Sequence, residues 1–134
     1  MKAEEKTIER TISMKKIVVG AVSILRNIYF DFNKASFKVE SYNELNKLEA
    51  MMKQNNNLHL EIGGHTDAVG TKEFNRWLSQ RRADAVKSFL TSKGIDTRRV
   101  KTQGYGKDKP LASNDDEKEG RELNRRVEFK VLNN

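Results

Sequence analysis

Residues 58–93 constrain this chain more than any other stretch. Leu58, Leu60 and Ile62 alternate with His59 and Glu61, the period of a strand with one buried face. Gly63-Gly64-His65-Thr66-Asp67-Ala68-Val69-Gly70 follows, and after it apolar residues recur at three- and four-residue steps. The pattern predicts a strand over Leu58–Ile62, a polar turn over Gly63–Gly70 and an amphipathic helix over Thr71–Lys93. Three glycines among the eight turn residues allow positive φ and a close approach to another group. A turn that carries the end of a strand into a helix N-terminus is where open α/β sheets bind ligands, and the free N–H groups there favour anions.

The helix carries an oddity. At about 100° per residue, Phe74, Leu78, Ala85, Val86 and Phe89 form one apolar arc, and Asn75 and Arg82 fall inside it. A guanidinium on that arc needs an acceptor, because burying an unpaired charge is costly. Asp67 lies one loop away, so Asp67, Asn75 and Arg82 are expected to converge at the mouth of one cleft. The same pattern is met by a structural Asp67–Arg82 ion pair or by an Arg82 that snorkels to water. Asp67 alone also suits an Asx turn.

The rest of the chain supplies the layers. Ile17–Leu25 is an apolar run that reads as a strand or a packing arm. Arg26–Phe32 alternates, with Ile28, Phe30 and Phe32 on one face. Val39, Tyr42, Leu45, Leu48 and Met52 mark a first amphipathic helix, ended by Asn55-Asn56-Asn57 because asparagine tolerates the left-handed conformation. The second helix stops at Lys93-Gly94, with glycine at its cap. Val100–Gly104 is a third strand, Asp115–Asn124 a candidate short helix, and Arg125–Leu132 a last strand whose Val127, Phe129 and Val131 face one way. Arg125 shares their parity and points to the helix side. The expected fold is an α/β two-layer sandwich: a mixed four-stranded sheet, one face wet, the other covered by two main helices.

Composition removes several functions. With 134 residues, the chain is expected to hold one domain over 17–134, preceded by a polar linker (residues 1–16) from a longer parent chain. There are no cysteines, hence no disulfide framework or thiolate zinc site. The histidines, His59 and His65, have no clustered co-ligands, so neither a metal nor a cofactor is expected; His65 reads as a residue that fixes the turn. No paired carboxylates, nucleophile motif or P-loop spacing appears, and no enzyme is read. The net charge of +7 suits an anionic partner, but the charges are interspersed and the strand aromatics Phe30, Phe32 and Phe129 sit on the core parity, which argues against nucleic acid.

Gly64-His65-Thr66-Asp67, Asn75, Leu78-Ser79, Arg82-Ala83, Gly104-Tyr105-Gly106, Pro110 and Gly120-Arg121 with Asn124-Arg125-Arg126-Val127 resemble the signature of the OmpA-like C-terminal domain family, which includes peptidoglycan-associated lipoprotein and the periplasmic part of flagellar stators. The resemblance covers about Ile24 to Leu132 and implies the same sandwich. It also implies non-covalent binding of the peptidoglycan stem peptide through diaminopimelate, anchoring an outer-membrane or envelope protein to the wall. Asp67 matches the aspartate that binds the ligand's ammonium and Arg82 the arginine that binds its carboxylate. Asn75 and Arg125 match accessory polar positions, Thr66 and the Ala68, Val69 and Gly70 backbone the surrounding loop, and Asp31 a strand-end contact. Arg81 adjoins Arg82, but Arg82 sits nearer the middle of the apolar arc. The implied location is the periplasmic side of the outer membrane of a Gram-negative-type bacterium, with membrane contact only through the parent protein and a homodimer left open. The alternative is an envelope-complex or stator assembly module whose wall binding is regulated.

Overall fold

The computed structural model describes residues 17–25, 28, 30, 35–109 and 125–134. Its elements are β1 (Val22–Ile24), α1 (Tyr42–Gln54), β2 (His59–His65), α2 (Lys72–Ser92), β3 (Val100–Gly106) and β4 (Arg126–Asn133), with single 3-10 turns at Val39–Ser41 and Thr97–Arg99. The strands form one sheet in the order β1-β4-β2-β3. β2 and β3 are parallel, while β4 runs antiparallel to both β1 and β2. The expected two-layer α/β sandwich with a mixed four-stranded sheet is the fold found.

Alternation decides which face is covered. Leu60 and Ile62 of β2, Val100 of β3, and Val127, Phe129 and Val131 of β4 are all buried. They meet Leu45, Leu48, Met51 and Met52 of α1 and Val86 and Leu90 of α2 in one core. Glu61, Lys101, Glu128 and Lys130 take the intervening positions on the wet face.

The structure answers four expectations, bearing out the strand reading of the Ile17–Leu25 run and correcting three others. The edge strand comes from the Ile17–Leu25 run: Val22, Ser23 and Ile24 pair with Lys130, Phe129 and Glu128. Of the stretch expected as a strand over Arg26–Phe32, Ile28 and Phe30 are described, and Phe30 forms an isolated bridge to Phe37. The candidate short helix over Asp115–Asn124 lies outside the described residues.

Second, β2 continues through Gly63, Gly64 and His65, which the sequence reading assigns to the turn. It is an inner strand, bonded to β4 on one side and β3 on the other as far as His65. Its glycines serve close packing. A Cβ on Gly64 would stand 2.2 Å from the Ser79 carbonyl oxygen, and one on Gly104 would stand 2.5 Å from the Gln80 nitrogen. The α2 backbone thus lies directly on the sheet, and of the three glycines at 63–70 only Gly70 has positive φ, at +96°.

Third, that close approach admits only small groups beneath α2. Asn75, Ser79 and Ala83 fill the sheet-facing stripe, whereas Phe74, expected in the core, is 38% exposed and packs on Trp77. Fourth, Asn55 ends α1 without a left-handed backbone, at φ −128°. Its Nδ2 instead donates to the Met51 carbonyl (2.8 Å), satisfying an orphan acceptor of the last turn. Gly94 caps α2 as expected, at φ +100°, with Ile95 N–H returning to the Leu90 carbonyl.

Candidate functional site

The C-terminal end of β2 delivers Thr66 and Asp67 beside the start of α2. Thr71 is the N-cap of that helix and accepts from Phe74 N–H at 3.1 Å. Thr66 N–H donates to the Gly106 carbonyl at 2.8 Å, tying the loop to the end of β3. Thr66 Oγ1 donates to the Asp67 carbonyl at 2.9 Å. Asn75 is buried, and its Nδ2 donates to Val69 O at 2.9 Å and to Asp67 O at 3.4 Å. The amide of Asn75 therefore holds the loop from within.

Asp67 is 7% exposed. Its Oδ1 accepts from Val69 N–H at 2.9 Å, the Asx-turn bond, and its Oδ2 accepts from Arg125 Nη1 at 2.5 Å. The ion-pair partner of Asp67 is thus Arg125, the residue just before β4, and not Arg82 as the helix pattern suggests. Arg82 is half-buried, with its Cζ 4.7 Å from the centre of the Phe30 ring, a cation–π contact. Burial, then the charge of Arg125, lowers the Arg82 pKa, and Asp67 raises it. Two guanidiniums and one carboxylate therefore share one field. Arg82 keeps its proton throughout the physiological range.

The structure brings Thr66, Asp67, Asn75, Arg82 and Arg125 together around the turn. Ala68, Val69 and Gly70 form its exposed crest. Asp31 lies outside the described residues. Among the described residues no His, Cys, Asp or Glu group is placed to hold a metal, and no helix is long and apolar enough to cross a membrane. His59 is on the wet side, with Nδ1 2.9 Å from the Asn57 carbonyl. Sequence reasoning quotes Ser79 with the family signature but gives it no role; its hydroxyl accepts from Gly106 N–H at 2.9 Å and so joins α2 to the end of β3. A helical serine above a glycine-containing strand is the signal available for it.

The OmpA family model matches residues 29–125. Outer membrane porin F of Pseudomonas aeruginosa is 41% identical over 115 residues, covering 85% of this chain and 33% of that protein. Curated relatives are much longer than this chain, which spans 14%, 35% and 33% of three of them. The peptidoglycan-associated lipoprotein from Burkholderia pseudomallei has a similar structure, with TM-score 0.68 and 30% identity over 80% of this chain and 88% of that one. The cell wall anchor of the T6SS from Pseudomonas aeruginosa is similar at TM-score 0.71 and 26% identity, covering 92% of each chain.

Proposed function

The chain belongs to the OmpA family, and from that premise we propose that it is a non-covalent peptidoglycan-binding domain that anchors an outer-membrane or envelope protein to the cell wall. The observation that carries this reading is the gathering of Asp67, Arg125 and Arg82 in one field at the end of β2. The solved lipoprotein and the T6SS wall anchor, both named for such a role, support it.

The ligand in this reading is the free amino-acid end of diaminopimelate on a stem peptide. Such an end carries one ammonium and one carboxylate. Asp67 takes the ammonium, and Arg82 takes the carboxylate through its planar fork. Arg125 steadies Asp67 and adds positive charge beside the ligand carboxylate. Thr66 and the Ala68–Gly70 backbone border the ligand, Asn75 keeps that border in place, and Asp31 retains the contact its family position implies. No bond breaks, so the site needs no acid–base pair. The domain would work on the periplasmic side of the outer membrane. Each partly exposed charge pair contributes about 1 kcal/mol or less, so a single site is weak and attachment gains from repeated stems on one polymer.

Sedimentation with purified sacculi tests the assignment. The wild-type chain should pellet, and Asp67→Ala and Arg82→Ala should each shift most of it to the supernatant while leaving its circular dichroism unchanged. Variants that fold and pellet like the wild type would sink the site.

A further inference from the structure

The outer face of α2 carries an aromatic pair that the core does not use. Phe74 is 38% exposed, and Trp77, the only tryptophan of the chain, is 53% exposed. They stand three residues apart and so share one stripe of the helix. Their ring centroids are 5.7 Å apart, with the planes tilted by 35°. Arg81, four residues beyond Trp77, brings its Cζ to 5.3 Å from the centre of the indole ring. The stripe points away from the sheet, because Asn75, Ser79, Ala83 and Val86 fill the buried side of the same helix. A water-facing helix position is better served by lysine, glutamate or alanine, which are stronger helix formers than either aromatic.

The size and chemistry of this patch select its occupant. An aromatic side chain has about 150–250 Å² to bury, so the open fractions leave roughly 200 Å² of ring surface between them. A stable protein interface takes about 800 Å² from each partner. The patch is too small for a second copy of the chain and matches the face of a single six-membered ring. Phe74 and Arg81 bracket the indole along the helix, so it is presented in one orientation and loses little side-chain freedom when a ligand lies on it. The negative π face of an aromatic ring attracts C–H groups that neighbouring oxygens make positive. The guanidinium N–H groups beside it donate to hydroxyl and carbonyl oxygens. A pyranose offers both partners: axial C–H groups on its face and oxygens around its edge.

We propose, resting on the peptidoglycan reading for the identity of the polymer, that Phe74, Trp77 and Arg81 form a sugar subsite for an N-acetylated amino-sugar ring of the glycan strand. The polymer that presents the stem peptide to Asp67 and Arg82 carries its sugars only a few residues away. An extended stem covers about 3.5 Å per residue, and α2 with its side chains is about 10 Å across, so one stem spans from Arg82 around the helix to the indole. Two weak contacts on one polymer raise each other's effective concentration. The subsite uses none of the residues assigned to the stem peptide.

Trp77 is its own reporter, because the tryptophan fluorescence of the full chain comes from this residue alone. The probe is the β-1,4-linked tetramer of N-acetylglucosamine, which carries no peptide. Titration should change the emission saturably, and Arg81→Ala should weaken the apparent affinity about threefold, the size of one exposed cation–π contact. Asp67→Ala and Arg82→Ala should respond to the tetramer as the wild type does. On sacculi, Trp77→Ala should bind about fivefold more weakly, the size of one aromatic contact, with its affinity for free diaminopimelate unchanged. If the wild type itself fails to pellet, the stem-peptide reading falls and the tetramer titration alone decides the sugar subsite. An emission that ignores the tetramer, or a Trp77→Ala variant that binds sacculi as tightly as a pelleting wild type, overturns the proposal. An emission that shifts with protein concentration in the absence of sugar assigns the face to a second copy of the chain and overturns it as well.

Discussion

Single atoms decide much of this protein. The missing Cβ of Gly64 lets α2 rest on the sheet, with the Ser79 carbonyl oxygen where that carbon would be, 2.2 Å away. The obstruction is backbone and cannot swing aside. Gly64→Ala should therefore cost about 3 kcal/mol, the upper part of the usual overpacking range, read as a lower urea midpoint with an unchanged slope. His65 gives a pH signature. Burial, then the charge of Arg126, lowers its pKa from 6.5 to about 4, against the pull of Glu128. Below pH 6.5 the unfolded chain takes up a proton that the folded chain refuses, so stability falls as pH drops toward 4. The His65 share is about 3 kcal/mol, at 1.36 kcal/mol per pH unit. Urea melts at pH 7 and pH 4 should show that loss in the wild type and a smaller one, by about this amount, in His65→Gln. The role of Arg125 is legible in the sequence, because parity along an alternating strand sends it to the helix side. The role of Gly64 is not. A glycine has no hydrophobic signature, and what it must accommodate is the backbone of a helix that begins several residues later.

At the level of elements, the helices are attached to the sheet by polar clamps as well as by the core. Arg99, in the turn before β3, donates to three backbone carbonyls around the end of α1: Met52 at 2.7 Å, Asn55 at 2.7 Å and Leu58 at 3.0 Å. A cation there also meets the negative end of the helix dipole. Removing it takes the guanidinium donor from the Met52 and Leu58 carbonyls, while the Asn55 carbonyl keeps Leu58 N–H. Arg99→Ala should lower stability by about 2 kcal/mol, the scale of a hydrogen bond from a charged group, and should speed amide exchange in the last turn of α1 relative to its middle. Local pattern finds the helices and three of the strands, since each carries its own period. It cannot find this clamp, which joins residues more than forty positions apart. It also misassigns Phe74: the apolar arc is real, but α2 lies too close to the sheet for a phenyl ring at its near end.

For the whole molecule, the excess of 26 basic over 19 acidic residues acts at a distance on any anionic polymer. Charge is felt over about 10 Å at 0.1 M salt and about 3 Å at 1 M. Sedimentation with sacculi should therefore weaken as salt rises through this range. A part of the binding should survive, because the charges around Asp67 are partly buried and less screened. The strand order has a consequence for how such a chain is made. β4 is the seam of the sheet: among the described residues β1 touches no other strand, and β2 needs β4 on one side. A ribosome that has released everything up to residue 125 has produced two helices and a parallel pair, but nothing to sew β1 to them. The sheet closes only when the eight residues of β4 emerge, so until then a nascent chain exposes its unfinished core to whatever waits at the tunnel exit.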